Sequence, residues 1–226
     1  GVLPDAAATG LVPEAIARSP HLEGRGISVS SRAARPQIVK EKHTFTSGVP
    51  GRTLQGFQDA GIAFLEGQGR FVSPDTLDVD GQSIGAKFFI VATGSRPMPL
   101  PMVGSEHLST SNDFLDLESL PRRIAFVGGG FISFEFAHFA ARLGEGRQEL
   151  TILEVSERPL GPFDAEMVGL LMDASRDEGI QVRTGIQITA IEKHASELSV
   201  QMTGGELLTA DLVVNGAGRV PNLEDL

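Results

Sequence analysis

The segment Ile124-Ala125-Phe126-Val127-Gly128-Gly129-Gly130-Phe131-Ile132-Ser133-Phe134-Glu135 constrains this chain more than any other. Its apolar start reads as a short strand buried on both faces. Three glycines then permit a turn too tight for side chains, and a helical pattern follows. A helix that opens this way presents unpaired N–H groups and the positive end of its dipole. That suits an anion, and in this setting the pyrophosphate of a dinucleotide. Gly128 allows the tight turn, and Gly130 lets the backbone approach the phosphates. Ser133 holds the third small position, where helix and strand pack closely. The same segment also suits a strand–helix connection without a ligand, so context has to decide.

The downstream pattern supplies that context. Strands at 124–127, Leu150–Leu153 and Gln181–Thr184 alternate with helices at about 131–143 and 164–178. This spacing predicts βαβ units and a parallel sheet. An acidic residue, Glu154, closes the second strand, 24 residues after Gly130. Its carboxylate suits ribose hydroxyls and repels a 2′-phosphate, which favours NAD over NADP. Gly144-Glu145-Gly146-Arg147 lengthens the loop before that strand, and Arg158 lies near enough to keep NADP open. Glu135 is read in the first helical turn, either complementing the dipole or standing beside a nicotinamide. Ile188–Lys193, Leu198–Met202 and Glu206–Leu208 form an antiparallel meander turning at Gly204-Gly205, and Asp211–Asn215 is a last buried strand.

The upstream half is less regular. Gly1–Gly61 reads as mainly helical, with pieces at Glu14–Ala17, Gln37–His43 and Arg52–Asp59. Ile62–Leu65 and Arg70–Val72 read as strands, and Thr76–Val79 runs into an Asp80-Gly81 hairpin turn. Lys87–Thr93 is apolar enough for a strand buried on both faces. Arg96–Pro121, with Pro97, Pro99, Pro101 and Pro121, reads as a connection between two domains.

Composition narrows the function classes. A net charge of −10 argues against a nucleic acid held through its phosphates. The absence of cysteine excludes a disulfide framework, a thiolate metal site and a redox dithiol within these residues. The five histidines show no metal-ligand spacing, so no metal is expected. No apolar run reaches the roughly 18–20 residues of a membrane span, and no signal-peptide pattern opens the chain. No membrane partner is expected, and a cytoplasmic location is the default. Trp and Tyr are absent, whereas Phe occurs 13 times.

Four ordered segments together resemble the flavin-dependent pyridine nucleotide–disulfide oxidoreductases, the family of glutathione reductase, dihydrolipoamide dehydrogenase and mercuric reductase. Val127–Glu135 is similar to the family's NAD(P)-domain turn. Ile90-Val91-Ala92-Thr93-Gly94-Ser95-Arg96-Pro97 is similar to its crossing from the FAD to the NAD domain. Gly216-Ala217-Gly218-Arg219-Val220-Pro221-Asn222 is similar to its return, and Phe163-Asp164-Ala165-Glu166 follows Glu154 as in family members.

The resemblance implies an α/β, Rossmann-like FAD/NAD(P)-binding fold with a parallel sheet and an antiparallel meander. It implies two nucleotide-binding domains, the first incomplete: a partial FAD-binding domain at 1–118, possibly resuming at 222–226, and an NAD(P)-binding domain at 119–221. NAD would lie on Gly128, Gly129, Gly130, Phe131, Ile132, Ser133, Glu135, Glu154, Ile188 and Gly218. FAD would lie on Gln68, Gly69, Ala92, Thr93 and Gly94, whose alternative role is strand-end packing. Phe131 would gate the nicotinamide, in place of the family's usual Tyr, with Glu135 beside it. The parent enzyme would pass hydride from NADH to flavin and on to a disulfide or other small acceptor, and would be a homodimer.

The chain also departs from the family. Gly1-Val2-Leu3-Pro4-Asp5-Ala6 falls where the family has Gly-Cys-x-Pro-x-Lys, so the second redox cysteine and the lysine partner of Glu135 are replaced. The chain by itself is therefore expected to lack disulfide reductase activity. A non-catalytic NAD(H)-sensing module and a nucleotide-free Rossmann-like scaffold remain the alternatives.

Overall fold

The structure, a computed structural model, describes residues 35–144 and 148–226. The expected helix at Glu14–Ala17, the Gly1–Ala6 segment and residues 145–147 lie outside the described residues. The described chain packs as two units. The larger holds 35–43 and Pro97–Gly218; the smaller holds Thr44–Arg96 and Arg219–Leu226.

A four-stranded parallel sheet forms the centre of the larger unit. Its strands are β5 (Arg123–Val127), β6 (Glu149–Leu153), β7 (Ile180–Arg183) and β11 (Leu212–Asn215), in the order β11-β5-β6-β7. Helix α4 (Phe131–Leu143) connects β5 to β6, and α5 (Ala165–Asp177) connects β6 to β7. Both faces of β5 are covered, which is why its sequence is almost wholly apolar. Ile124 and Phe126 enter one core with Phe134, Phe136 and Ala137 of α4. Ala125 and Val127 enter a second core with Ile191, Leu198, Val200 and Met202. These last residues belong to the meander β8 (Ile188–His194), β9 (Glu197–Met202) and β10 (Leu207–Ala210), paired antiparallel. Leu198, Val200 and Met202 alternate inward along β9, the period-two pattern of a half-buried strand.

Three of the 13 Phe form the aromatic heart of the first core. Phe114 stacks on Phe136 with centroids 4.8 Å apart and meets Phe126 edge-on at 5.9 Å. All three rings are fully buried, where a Tyr hydroxyl or Trp N–H would need a partner. Each such burial stabilises the fold by about 2–3 kcal/mol.

Phe114 comes from α3 (Ser111–Asp116), inside the stretch read as an inter-domain connection. The stretch is not bare: Thr110 and Asp113 form a capping box, and Phe114 and Leu115 anchor the helix in the core. The four prolines masked a short, well-capped helix. Arg35 of α1 (Arg35–Ser47) donates to the Leu117 and Phe114 carbonyls at 2.8 and 2.7 Å, closing the C-terminus of α3.

The smaller unit contains α2 (Val49–Asp59) and a three-stranded antiparallel sheet, β1 (Gly69–Ser73), β2 (Thr76–Val79) and β3 (Gln82–Gly85). Asp80 (φ 48°) and Gly81 (φ 90°) form the expected hairpin turn, which needs positive φ at both positions. A two-stranded pair, β4 (Ser95–Pro97) with β12 (Arg219–Pro221), follows.

Two strand expectations fail in this unit. Ile62–Leu65 forms no strand, and Ile62, Phe64 and Leu65 are exposed. Lys87–Thr93 likewise forms none and is not buried: Phe88 and Ile90 are 90% and 93% exposed. Phe89 of that run packs edge-on against Phe71 at 4.9 Å. Apolar, β-branched composition supplies strand propensity, but a strand needs a backbone beside it, and none pairs with either run among the described residues.

Candidate nucleotide-binding site

The glycine turn lies where β5 meets α4, and each glycine has its own reason to be glycine. Gly128 has φ 91°, a conformation L-residues rarely adopt. A Cβ there would also stand 2.5 Å from the Ala217 Cα. Gly129 is squeezed from the other side: its Cβ would meet Pro159 at 2.8 Å and a Glu154 carboxylate oxygen at 2.9 Å. Gly130 is the N-cap of α4, with extended backbone and no side-chain cap. Its Cβ would lie 3.2 Å from the Gly216 carbonyl. The turn is thus held between the 216–218 segment and the loop after β6.

The helix start has the form expected of an anion cradle. The first intrahelical bond runs from the Phe134 N–H to the Gly130 carbonyl at 3.3 Å. The N–H groups of Phe131, Ile132 and Ser133 precede it and have no helical acceptor. Phe131 is half exposed, whereas Ile132 and Ser133 are buried. Ser133 packs against Gly216, the close helix–strand approach expected of a small residue. Glu135 is the fifth helical residue and so begins the second turn; the first-turn reading is corrected. Partial burial raises its carboxyl pKa above the ordinary value.

Glu154 stands immediately after β6 and reaches back to the turn. Its carboxylate accepts the Gly129 N–H at 2.5 Å and the Ser156 N–H at 2.7 Å. Burial works to raise its pKa, but the backbone donors Ser156 and Gly129 outweigh it and leave the group below the usual carboxylate range. The acidic residue and the glycine turn are therefore one constellation. Gly218 follows Ala217 at φ 120°, its carbonyl accepting the Met98 N–H at 3.0 Å. Ile188 opens β8 and packs on the second core with Val127 and Ala217.

The other expected nucleotide contacts belong to the smaller unit. Gly69 begins β1 and Gln68 immediately precedes it, with the Gln68 N–H 3.3 Å from an Asp80 carboxylate oxygen. Thr93 and Gly94 join the return segment: the Asn222 side chain donates to the Thr93 carbonyl and its N–H to the Gly94 carbonyl, both at 3.1 Å. Gly94 takes φ 75° there, and Ala92 is exposed. Arg219 donates from Nε to the Ser95 hydroxyl at 2.8 Å and also to the Ser95 carbonyl.

Sequence reading missed Pro159 and Leu160. Leu160 has φ 51°, and its N–H donates to the Gly129 carbonyl at 2.9 Å. The turn-forming run Pro159-Leu160-Gly161-Pro162 was the available signal. Among the described residues, no group of His, Cys, Asp and Glu is placed to hold a metal, and no helix is long and apolar enough to cross a membrane.

Comparison with known proteins places this chain in a family. Residues 21–226 match the family model described as pyridine nucleotide-disulphide oxidoreductase. The chain is 34% identical to a glutathione reductase of Burkholderia cepacia over 165 residues, covering 73% of the chain and 36% of that protein. It is 34% identical to a dihydrolipoyl dehydrogenase of Thermus scotoductus over 201 residues, 86% of the chain and 41% of that protein. A solved structure, the HOCl-induced flavoprotein disulfide reductase RclA from Escherichia coli, superposes with a TM-score of 0.77 at 19% identity, covering 97% of the chain and 48% of that structure. The chain thus spans less than half the length of these relatives, and it belongs to the pyridine nucleotide-disulphide oxidoreductase family.

Proposed function

We propose that the chain carries the NADH-binding portion of an FAD-dependent oxidoreductase, with the flavin-side contacts supplied in part by its smaller unit. The observation that carries this reading is the union of the glycine turn, the open start of α4 and Glu154 in one site. The turn fits a pyrophosphate: a side chain at Gly130 would crowd Gly216, and three N–H groups lack helical acceptors. The pyrophosphate would sit on the Gly128–Ser133 turn, and Glu154 would face the adenosine ribose. Phe131, exposed at the helix start, would cover the nicotinamide position, with Glu135 beside it. Bound NADH would supply a hydride for a flavin, and onward reduction of a disulfide or other acceptor would be the task of the whole enzyme. Gln68, Gly69, Ala92, Thr93 and Gly94 would contribute to the flavin side.

NAD is favoured over NADP because a carboxylate, not a cation, stands at the turn. In domain terms, 119–221 would bind NAD, and 1–118 with 222–226 would form the flavin side; the packing boundary falls earlier, at Pro97. Anaerobic addition of NADH to the flavin-loaded protein tests the reading. Bleaching of the flavin absorbance is expected; NADH binding without bleaching would instead favour a sensing module.

A further inference from the structure

The loop after β6 does more than close the fold. Gly129 has both backbone groups engaged by it: the N–H donates to Glu154, and the carbonyl accepts from Leu160. Leu160 makes that bond from a left-handed conformation, φ 51°, which a residue with a Cβ adopts only when its surroundings hold it there. Arg158 bridges the residues that follow it. Its Nη1 donates to the Phe163 carbonyl at 2.9 Å and its Nη2 to the Gly161 carbonyl at 2.6 Å. The Phe163 N–H in turn donates to the Leu160 carbonyl at 2.9 Å. The planar fork of a guanidinium can bridge two carbonyls at fixed separation; a lysine ammonium cannot reproduce that geometry. Asp164 then caps α5 by accepting from the Glu166 and Met167 N–H groups at 3.0 and 3.1 Å. Hydrogen bonds so run from the glycine turn to Phe163, and the next residue, Asp164, caps α5.

We infer that Arg158 is a positioning residue that staples the Pro159–Leu160 arch onto Gly129, and that it does not receive a 2′-phosphate. The inference rests on the nucleotide reading of the turn for its functional consequence, but not for its structural one. An arch fixed against Gly129 holds the turn in shape before any nucleotide arrives, which lowers the ordering cost of binding. It also gives an arginine close to Glu154 a role other than phosphate binding, since one donor on each Nη atom is committed to the loop's own carbonyls.

Two readouts on the full chain separate these roles, with Arg158→Ala and Arg158→Lys as variants. In the absence of nucleotide, the Leu160 amide should exchange its hydrogen roughly tenfold faster in Arg158→Ala, and by a smaller factor in Arg158→Lys. In calorimetric titration, affinities for NADH and NADPH should fall by the same factor, roughly three- to tenfold. Unchanged exchange at Leu160 in both variants overturns the staple. Loss of NADPH affinity alone overturns it as well, because that is the signature of a phosphate contact. If the unsubstituted chain binds neither nucleotide, the functional proposal fails and the exchange result alone decides the role of Arg158.

Discussion

The Glu154 carboxylate accepts the Gly129 N–H at 2.5 Å, so the acidic residue that closes β6 is tied to the glycine turn that ends β5. The two positions are 25 residues apart in sequence and adjacent through the parallel pairing of β5 and β6. One side chain thus braces the turn.

Replacing that carboxylate changes the acid limb of stability. Because the folded pKa of Glu154 lies below its ordinary value, its contribution is complete above the unfolded pKa, about 4.3, and is lost as pH falls through the folded value. In Glu154→Gln, denaturant midpoints should therefore be lower than those of the unsubstituted chain at pH 7. The difference should narrow as pH falls below about 4. Urea titrations at several pH values check this; a difference independent of pH would show that the carboxylate charge has no part in bracing the turn.

Gly128→Ala should be destabilising by about 3 kcal/mol. The substitution combines a left-handed backbone with a Cβ 2.5 Å from the Ala217 Cα, so the 216–218 segment would have to move. Gly130→Ala meets only the Gly216 carbonyl, at 3.2 Å, without positive φ, and should cost less than half as much. Chemical denaturation of both variants gives the comparison directly.

Ser133→Ala should leave stability unchanged or raise it by about 1 kcal/mol. The Ser133 hydroxyl is fully buried and has no hydrogen-bond partner among the described residues, so its removal eliminates a desolvated polar group without opening a sizeable cavity. A drop in melting temperature would reveal a partner for that hydroxyl.

These contrasts show why the larger unit was more legible in the sequence than the smaller, where the Arg52–Asp59 helix and the Thr76–Val79 hairpin were legible but Ile62–Leu65 and Lys87–Thr93 were not. Around β5, α4 and β6 the strand period, the glycines and the helix period agree, and each element finds its cover within the chain. Glu154 could be placed at the turn because a parallel βαβ unit brings the ends of adjacent strands together. Lys87–Thr93 carries an equally apolar pattern, yet Phe88 and Ile90 face outward because pattern alone provides no pairing strand. Leu160 was hidden for a different reason: a leucine at φ 51° contradicts local preference and is set by the Arg158 hydrogen bonds, which sequence spacing does not reveal. The capping box of α3 could have been read from Thr110 and Asp113, but the surrounding prolines dominated the pattern.

Whether the glycine turn and Glu154 together select NADH is decided by calorimetric titration of the chain with NADH and with NADPH, repeated on Glu154→Gln. Saturable one-site binding is expected, tighter for NADH than for NADPH, with the preference shrinking when the carboxylate is removed. Equal or tighter NADPH binding by the unsubstituted chain, or no heat with either nucleotide, would contradict that selection.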